Sequence, residues 1–280
     1  MKDMPRETTS LILFTDLDGC LLNKSDYDFS AAVPTLQRLK DAAVPVVLCS
    51  SKTQAEMQVL AVALKLAPAP MTCENGGLIV WSPGDEPDTS DGWPEDNMVL
   101  GIPRDQILQI LADLKSDFAF RSFADLGVPG VMAMTDLPQA QATAALARQC
   151  TEPLLWDDTP ERVAVFRSAL ARHDLTLTQG GRFWHVAGST TKGQAVTEVL
   201  QQFRRRQAGQ TASIVSSAVG DSPIDQSMLD VVDYPVGIPW PAGEIKVRID
   251  SEAGILATVP GAAGWAQAVG MLLDRLGIPG

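Results

Sequence analysis

The stretch from Leu11 to Gly19 reads LILFTDLDG and joins an apolar run to two aspartates separated by one residue. The apolar residues 11–14 are typical of a strand that is buried on both faces of a sheet. Asp16 and Asp18 follow that strand, and Gly19 permits close approach of the backbone just past them. Ligands of open parallel sheets bind at the carboxyl ends of the strands, so this stretch predicts both a fold class and a site.

Strand and helix patterns alternate on both sides of this stretch, and the connections between them are short. Such alternation predicts a parallel α/β sheet. The N-terminal patterns are a helix at 31–40, a strand at 44–49, a helix at 53–66 and a strand at 78–81. From residue 191 the same style resumes, with a helix at 192–203, a strand at 212–219, a helix at 223–231, a strand at 234–238 and a closing helix at 264–276.

The middle of the chain has a different pattern. Residues 82–96 are rich in proline, glycine and acidic residues and are predicted to form a loop. Antiparallel strands are expected further on, because Gly180 and Gly181 form a hairpin turn signal between two strand patterns. The predicted elements are helices at 103–115, 137–150 and 160–172, and strands at 153–156, 175–178 and 183–186. We therefore predict a Rossmann-like core of residues 1–89 and 188–280, interrupted by an α+β unit at 90–187.

Composition restricts the classes of partner. The chain has 280 residues, of which 45% are hydrophobic and 20% charged, and its formal net charge is −12. This balance argues against nucleic-acid binding, which normally requires a basic face. The four cysteines are far apart and form no CxxC pair, so neither a zinc site nor a disulfide framework is indicated. No signal pattern or membrane-spanning run is evident, and we expect a cytoplasmic protein without a membrane partner.

Polar clusters follow several predicted strands or open the helix before one. The expected topology brings them into one crevice that holds carboxylates, a hydroxyl group and a lysine, which is the set that phosphoryl transfer to a carboxylate requires. Alone, each motif also fits a structural role: acids cap helices, Gly-Asp-Ser forms turns, and a lone lysine is usually solvated. The clusters are Asp16 with Asp18, Ser50-Ser51-Lys52, Lys192, and Gly220-Asp221-Ser222 with Asp225.

Each residue has a chemical task in this hypothesis. Asp16 can attack phosphorus and form an acyl phosphate, while Asp18 protonates the leaving oxygen and then activates water. Mg²⁺ prefers oxygen ligands, which the carboxylates of Asp16 and Asp221 offer. Ser50 can donate a hydrogen bond to a phosphoryl oxygen, and Lys192 can neutralise the remaining charge.

The motifs resemble those of the haloacid dehalogenase superfamily of phosphatases. Asp16-Leu17-Asp18-Gly19 matches the first motif, Ser50 the second, Lys192 the third, and Gly220-Asp221 with Asp225 the fourth. The resemblance implies a phosphorylated small-molecule substrate, Mg²⁺ as cofactor and a metal site drawn from Asp16, Asp18, Asp221 and Asp225. It also implies that the inserted unit is an α/β cap domain of the kind found in sugar phosphatases.

Four further segments are similar to mannosyl-3-phosphoglycerate phosphatase, which releases mannosylglycerate, a compatible solute. They are 46–53 (VVLCSSKT), 74–77 (ENGG), 152–156 (EPLLW) and 179–185 (QGGRFWH). This likeness implies that Gly180, Gly181 and Arg182 reach the carboxylate and phosphate end of the substrate, and it adds Glu74 and Asn75 to the substrate site. Arg182 has the planar fork that suits a carboxylate.

Two departures leave alternatives open. Cys20 replaces the usual threonine after the glycine, and Ser222 and Ile224 interrupt the family's Gly-Asp-Gly-Pro-Asn-Asp pattern. The Ile224 departure leaves open an inactive protein that binds phosphate ligands. A glucosyl-3-phosphoglycerate phosphatase and a general sugar phosphatase also stay open, because the cap residues that face the sugar decide between these activities. The preferred sugar and the oligomeric state stay open.

Overall fold

A large, mainly parallel sheet forms the centre of the molecule. The computed structural model describes residues 9–81, 93–179, 183–207, 213–250 and 252–279. The sheet has eight strands in the order β12-β11-β10-β1-β2-β3-β4-β5. Strand β4 runs antiparallel to both of its neighbours, β3 and β5. The strands are β1 (Thr9–Thr15), β2 (Val46–Cys49), β3 (Met71–Cys73), β4 (Leu78–Val80), β5 (Met98–Val99), β10 (Ser213–Gly220), β11 (Tyr234–Gly237) and β12 (Ile255–Leu256).

Alternate residues of β1 enter two separate hydrophobic cores, as the apolar run predicted. Leu11 and Leu13 pack on one face of the sheet, and Ile12 and Phe14 pack on the other. The first face is covered by α1 (Val33–Asp41), α2 (Gln54–Ala63) and α9 (Gly261–Arg275). The second face is covered by α7 (Lys192–Arg206) and α8 (Gln226–Leu229). Burial on both faces explains why β1 shows no polar alternation.

The second sheet is antiparallel and belongs to the inserted part of the chain. Its four strands run in the order β6-β7-β9-β8. Phe166 lies at the centre of its core, with ring centroids 5.1 Å from Phe118 and 5.2 Å from Phe120. The unit, called the cap below, consists of α3 (Arg104–Leu114), β6 (Phe120–Ser122), α4 (Phe123–Thr135), α5 (Gln139–Leu146), β7 (Thr151–Trp156), α6 (Arg162–Ala171), β8 (Leu175–Gln179) and β9 (Trp184–Gly188).

The fold class predicted from the sequence is confirmed: a parallel-sheet core carries a cap of mixed α and β structure. The limits of the insert, residues 90–187, remain a prediction. Met98 and Val99 still pair with β4 of the large sheet, and the strands of the cap sheet span residues 120–188. No helix in the described ranges has the length and hydropathy needed to cross a bilayer.

Several elements differ from their sequence prediction. Strands β3, β5, β6 and β12 are short and lie where no strand was predicted, and two helices differ as well. Helix α4 was not predicted, because Gly127 and Pro129 lie inside it, and the chain kinks at Gly127, where φ is 59°. The predicted helix at 223–231 is reduced to the four residues of α8. In α4 the glycine and proline mark a kink within the helix. Pro223 instead lies in the loop that precedes the short helix α8.

Candidate active site

Three of the predicted residues are each the first residue after a neighbouring parallel strand. Asp16 follows β1, Ser50 follows β2 and Asp221 follows β10. All three are buried, with at most 7% of their surface exposed. Parallel pairing of β1 with β2 and with β10 places their carboxyl ends side by side. The sheet therefore brings these side chains to one edge, as the sequence predicted.

Lys192 lies between two carboxylates at the centre of the site. Its Nζ donates hydrogen bonds to Asp16 Oδ1 and to Asp225 Oδ1, both at 2.6 Å, and to the carbonyl oxygen of Cys49 at 3.1 Å. Only 3% of the lysine is exposed. A buried ammonium group is stable only when it is paired, and these three acceptors satisfy its three protons.

A capping box holds Lys192 at the start of α7. The Thr191 side chain accepts from the Gln194 N–H, and the Gln194 side chain accepts from the Thr191 N–H. This arrangement begins the helix at Lys192, so its side chain rises from the first turn into the crevice.

The charges in this cluster depend on one another. Burial raises the pKa of Asp16 to about 7, although the Lys192 charge opposes that shift. Burial alone would lower the pKa of Lys192, but the Asp16 and Asp225 carboxylates raise it above its usual range. Burial would raise the pKa of Asp225, yet Lys192 and the Ser222 hydrogen bonds lower it below its usual value. Asp225 is thus the permanent anion beside the lysine, and Asp16 is the carboxylate whose ionisation is held back.

Asp221 and Asp16 form the part of the site that can receive a cation. Together with the Cys20 thiol they offer ligand atoms within 4.8 Å of one another. Burial and the nearby Asp225 charge raise the pKa of Asp221 to about 6. Gly19, at φ +98°, leaves the space that Asp221 occupies, because a Cβ there would lie 2.5 Å from Asp221 Oδ2. Two repelling buried carboxylates fit a hard divalent cation such as Mg²⁺, which prefers oxygen ligands.

The other two predicted metal ligands have different contacts in the described part of the chain. Asp225 uses Oδ1 for Lys192 and Oδ2 for the backbone N–H groups of Asp221 and Ser222, so it orders the loop. Asp18 pairs with Lys52 through Oδ2 at 2.6 Å. Their assignment as direct metal ligands stays a prediction. Ile224, at the departure from the family pattern, is 40% exposed and leaves the Asp225 contacts intact.

The two carboxylate oxygens of Asp18 have different surroundings. Its Oδ1 is buried and has no hydrogen-bond partner among the described residues, while Oδ2 holds Lys52. Burial would lower the pKa of Lys52, but the Asp18 carboxylate raises it above the usual value. Lys52 also lies 5.3 Å from the ring centroid of Tyr27. Sequence reasoning placed Lys52 in the crevice but assigned it no role.

Two more residues beside Asp221 lacked a sequence assignment. Lys24 Nζ lies 3.8 Å from Asp221 Oδ2 and 3.7 Å from the ring centroid of Trp240. Trp240 Nε1 donates to the Asp221 carbonyl oxygen at 3.0 Å. Both come from loops, whose side-chain directions no periodicity predicts.

The residues that the sequence assigned to the substrate differ from one another in their surroundings. Glu74 is 2% exposed and does not face an open crevice. Its carboxylate accepts hydrogen bonds from the backbone N–H groups of Gln149 and Cys150, in the linker between α5 and β7 of the cap. Asn75 has φ 58° in the same turn. Gly180, Gly181 and Arg182 lie outside the described residues, so their role stays a prediction.

His185 lies on β9. Burial, with a smaller effect from the Arg148 charge, lowers the pKa of His185 to about 4. A neutral imidazole in the cap is consistent with a packing role for His185.

Comparisons with known proteins find a family match over part of the chain and a shared fold over nearly all of it. Residues 13–121 match the sequence profile of the haloacid dehalogenase-like hydrolase family. The matched segment contains the Asp16 motif, the Ser50 loop and the Glu74 turn. It therefore covers two of the four motifs named above.

Solved structures show the same fold over nearly the whole chain. A haloacid dehalogenase-like hydrolase from B. subtilis is 17% identical, with a TM-score of 0.60 over 95% of this chain and 99% of that one. A phosphatase of the superfamily from Bacteroides thetaiotaomicron is 15% identical, with a TM-score of 0.63 over 100% and 99%. A sugar phosphatase of subclass IIB is 14% identical, with a TM-score of 0.62 over 96% and 100%.

The matched segment and the fold identify the protein as an enzyme, a hydrolase whose fold is that of haloacid dehalogenase-like proteins. At these identities the likeness to solved structures shows the fold alone. The narrower resemblance, to mannosyl-3-phosphoglycerate phosphatase, therefore belongs with the proposals that follow.

Proposed function

We propose that this protein is a Mg²⁺-dependent phosphomonoester hydrolase that works through a phosphorylated Asp16. The observation that carries the proposal is the position of Lys192, 2.6 Å from both Asp16 and Asp225 at the carboxyl ends of the strands. A cation fixed beside a buried carboxylate is what a nucleophile needs when it attacks an anionic phosphate group.

The chemistry divides among the residues as follows. An Asp16 carboxylate oxygen bonds to phosphorus while the bond from phosphorus to the leaving oxygen breaks. In this proposal Asp18 carries a proton when the substrate is bound, gives that proton to the leaving oxygen, and regains one from the water that attacks the phosphoryl group and releases Asp16. Ser50 donates a hydrogen bond to a phosphoryl oxygen, and the Lys192 charge offsets the negative charge of the phosphoryl group.

Asp16 and Asp221 would hold Mg²⁺, and the Gly19 backbone leaves room for them. The bound ion supplies positive charge that offsets the repulsion between carboxylates and phosphate. Cys20 is a softer ligand than Mg²⁺ prefers, so we assign it no place in the metal shell.

For the substrate we propose mannosyl-3-phosphoglycerate, which would be converted to mannosylglycerate and phosphate. Support comes from the sequence segments 46–53, 74–77, 152–156 and 179–185, and from the large cap. Glucosyl-3-phosphoglycerate is the sister candidate. A general sugar phosphatase is the second candidate, because the cap and core resemble those of a subclass IIB sugar phosphatase.

We also propose that the reaction takes place in the cytoplasm. All four cysteines are buried and free. Free thiols are typical of a reducing compartment.

Phosphate release decides among these candidates. The assay uses mannosyl-3-phosphoglycerate, glucosyl-3-phosphoglycerate and a panel of sugar monophosphates, each with Mg²⁺ and with EDTA. Preference for the mannosyl compound supports the first proposal, and comparable turnover of simple sugar phosphates supports the second. No phosphate release from any ester by folded protein with Mg²⁺ would contradict both.

A further inference from the structure

A tight turn after β3 carries three consecutive residues in the left-handed region. Glu74, Asn75 and Gly76 have φ angles of 53°, 58° and 91°. Residues other than glycine rarely adopt this conformation, and it persists only where the surroundings fix it. At Gly76 no side chain fits, because a Cβ would lie 2.4 Å from the Thr191 carbonyl oxygen, beside Lys192. The turn thus packs against the start of α7.

The backbone of this turn holds the loop that contains Ser50. The Glu74 N–H donates to the Lys52 carbonyl oxygen at 3.0 Å, and the Asn75 N–H donates to the Ser50 carbonyl oxygen at 2.9 Å. Ser50 is 1% exposed. Ser50 is assigned to the phosphate group, and Lys52 pairs with Asp18. The positions of both residues therefore depend on the conformation of this turn.

The side chain of Glu74 reaches in the other direction, to the linker between α5 and β7 of the cap. Oε1 accepts from the Gln149 N–H at 2.7 Å, and Oε2 accepts from the Cys150 N–H at 3.2 Å and from the Thr151 hydroxyl. Both oxygens are occupied by the linker, which distinguishes Glu74 from a residue that binds substrate directly.

Arg148 connects this linker to the Ser50 loop a second time. Its Nη1 donates to Thr151 Oγ1 at 2.8 Å and to the Ser51 carbonyl oxygen at 3.3 Å. The hydroxyl of Thr151 is thus shared, because it donates to Glu74 and accepts from Arg148. We call Glu74, Thr151, Arg148 and the Ser51 carbonyl the latch.

We propose that Glu74 is a positioning residue that couples the cap to the phosphate-binding loop through this latch. Movement of the linker during cap opening pulls on Glu74, and the turn transmits the displacement to Ser50 and Lys52. Binding of a phosphate group at Ser50 in turn restrains the linker, as reciprocal coupling requires. This coupling to phosphate rests on the proposed function, whereas the latch itself does not.

Hydrogen–deuterium exchange measured by mass spectrometry tests the latch in the full chain. The variants are E74Q, which places an amide before backbone donors, and the pair T151V and T151S, which removes or keeps the shared hydroxyl. The control is D233N, because Asp233 is another hydrogen-bonded carboxylate that accepts from the Ser216 N–H and hydroxyl within the large sheet. Thermal melting of each variant reports folding, and the T151V and T151S pair carries the test where E74Q fails to fold.

In the absence of ligand, we expect E74Q and T151V to increase exchange at least tenfold in two peptides, one covering 50–53 and one covering 147–152. T151S and D233N should leave both peptides as in the wild type. Unchanged exchange at 50–53 in E74Q or in T151V, or equal exchange in T151V and T151S, would overturn the latch.

A second arm adds orthovanadate and Mg²⁺ as a phosphate mimic. The wild type, T151S and D233N should show slower exchange in both peptides, whereas E74Q and T151V should show it only at 50–53. Slowing of the linker in E74Q would overturn the coupling. A wild type that does not respond to orthovanadate would contradict the proposed function instead, and the ligand-free arm would still decide the latch.

Discussion

At the scale of single residues, the site is organised around a lysine that water hardly reaches. Lys192 has two carboxylate partners at 2.6 Å, and they differ in character. Asp225 is ionised and holds the loop of Asp221 with its other oxygen. Asp16 has a pKa raised to about 7 by burial. Lys192 is thus paired permanently with the Asp225 carboxylate, whereas the Asp16 carboxylate becomes available for reaction.

Replacing Asp225 with asparagine leaves Lys192 with one carboxylate. We expect D225N to lower the free energy of unfolding by about 3 kcal/mol, because removing one partner leaves a buried charge undercompensated. We also expect kcat to fall by about two orders of magnitude, since Lys192 then pairs more closely with Asp16. Urea denaturation and phosphate release measure the two effects. The exposed D230N is the matched control, and equal stability of both variants would contradict the account.

A second prediction at this scale concerns His185 and the dependence of stability on pH. Its pKa is about 4 in the folded protein and about 6.5 in the unfolded chain. A depressed pKa contributes stability that is fully present above pH 6.5 and is lost as the pH falls toward 4. Between pH 7 and pH 5 this loss amounts to about 2 kcal/mol.

The variant H185Q has no such proton to gain. We expect its unfolding free energy to change less with pH than that of the wild type, by about 2 kcal/mol between pH 7 and pH 5. Other titrating groups are common to both proteins and cancel in the comparison. Parallel pH profiles of the two proteins would show that the folded protein does not hold His185 in its neutral form.

At the scale of elements, the sequence predicted what depends on local pattern. The strand at 44–49 and the helices at 53–66 and 192–203 were found with ends shifted by a few residues. Helix α4 escaped because its stability depends on packing of Phe123 and Val131 in the cap, not on propensity. Its Gly127 and Pro129 signal interruption, and tertiary contacts override that signal.

The same limit applied to the candidate site. Asp16, Ser50 and Asp221 were predictable because each follows a buried strand in a parallel sheet. The ion pair of Lys52 with Asp18 was not, because its geometry depends on a loop and on the rotamers of a long side chain. Nor was the contact of Glu74 with residues 149–151, which are more than 70 positions away in sequence.

The capping box at Thr191 is the element that positions Lys192. We expect T191A to lower the unfolding free energy by about 1 kcal/mol, because the Gln194 N–H loses its acceptor. T191S keeps the hydroxyl and should behave as the wild type in stability and in kcat. Chemical denaturation and turnover of both variants check this, and a T191S variant as impaired as T191A would assign the effect to packing of the methyl group.

At the scale of the whole molecule, a protein of net charge −12 buries several carboxylates at one sheet edge. Raised pKa values at Asp16 and Asp221, about 7 and about 6, mean that ionising them costs stability as pH rises from about 4 to 7. A cation bound between them would remove that cost. The proposed metal site therefore predicts that stability, metal binding and pH are linked through the same two residues.

We expect Mg²⁺ to raise the melting temperature more at pH 8 than at pH 5.5, because protons compete with the ion for Asp16 and Asp221. At a concentration one hundred times the Kd, the stabilisation should be about 2.7 kcal/mol. Differential scanning calorimetry with Mg²⁺ or EDTA measures the increment. D221N should abolish it, while D233N should keep it, and an increment independent of pH would contradict this site.

The most direct test of the central claim, that Asp16 is the nucleophile, is chemical trapping of the phosphorylated residue. Enzyme turning over p-nitrophenyl phosphate with Mg²⁺ is quenched in acid and reduced with borohydride, which converts an aspartyl phosphate to homoserine. Peptide mass spectrometry should then find homoserine at position 16, and none in enzyme incubated without substrate. Phosphate release accompanied by homoserine at another aspartate, or by none at position 16, would contradict the account.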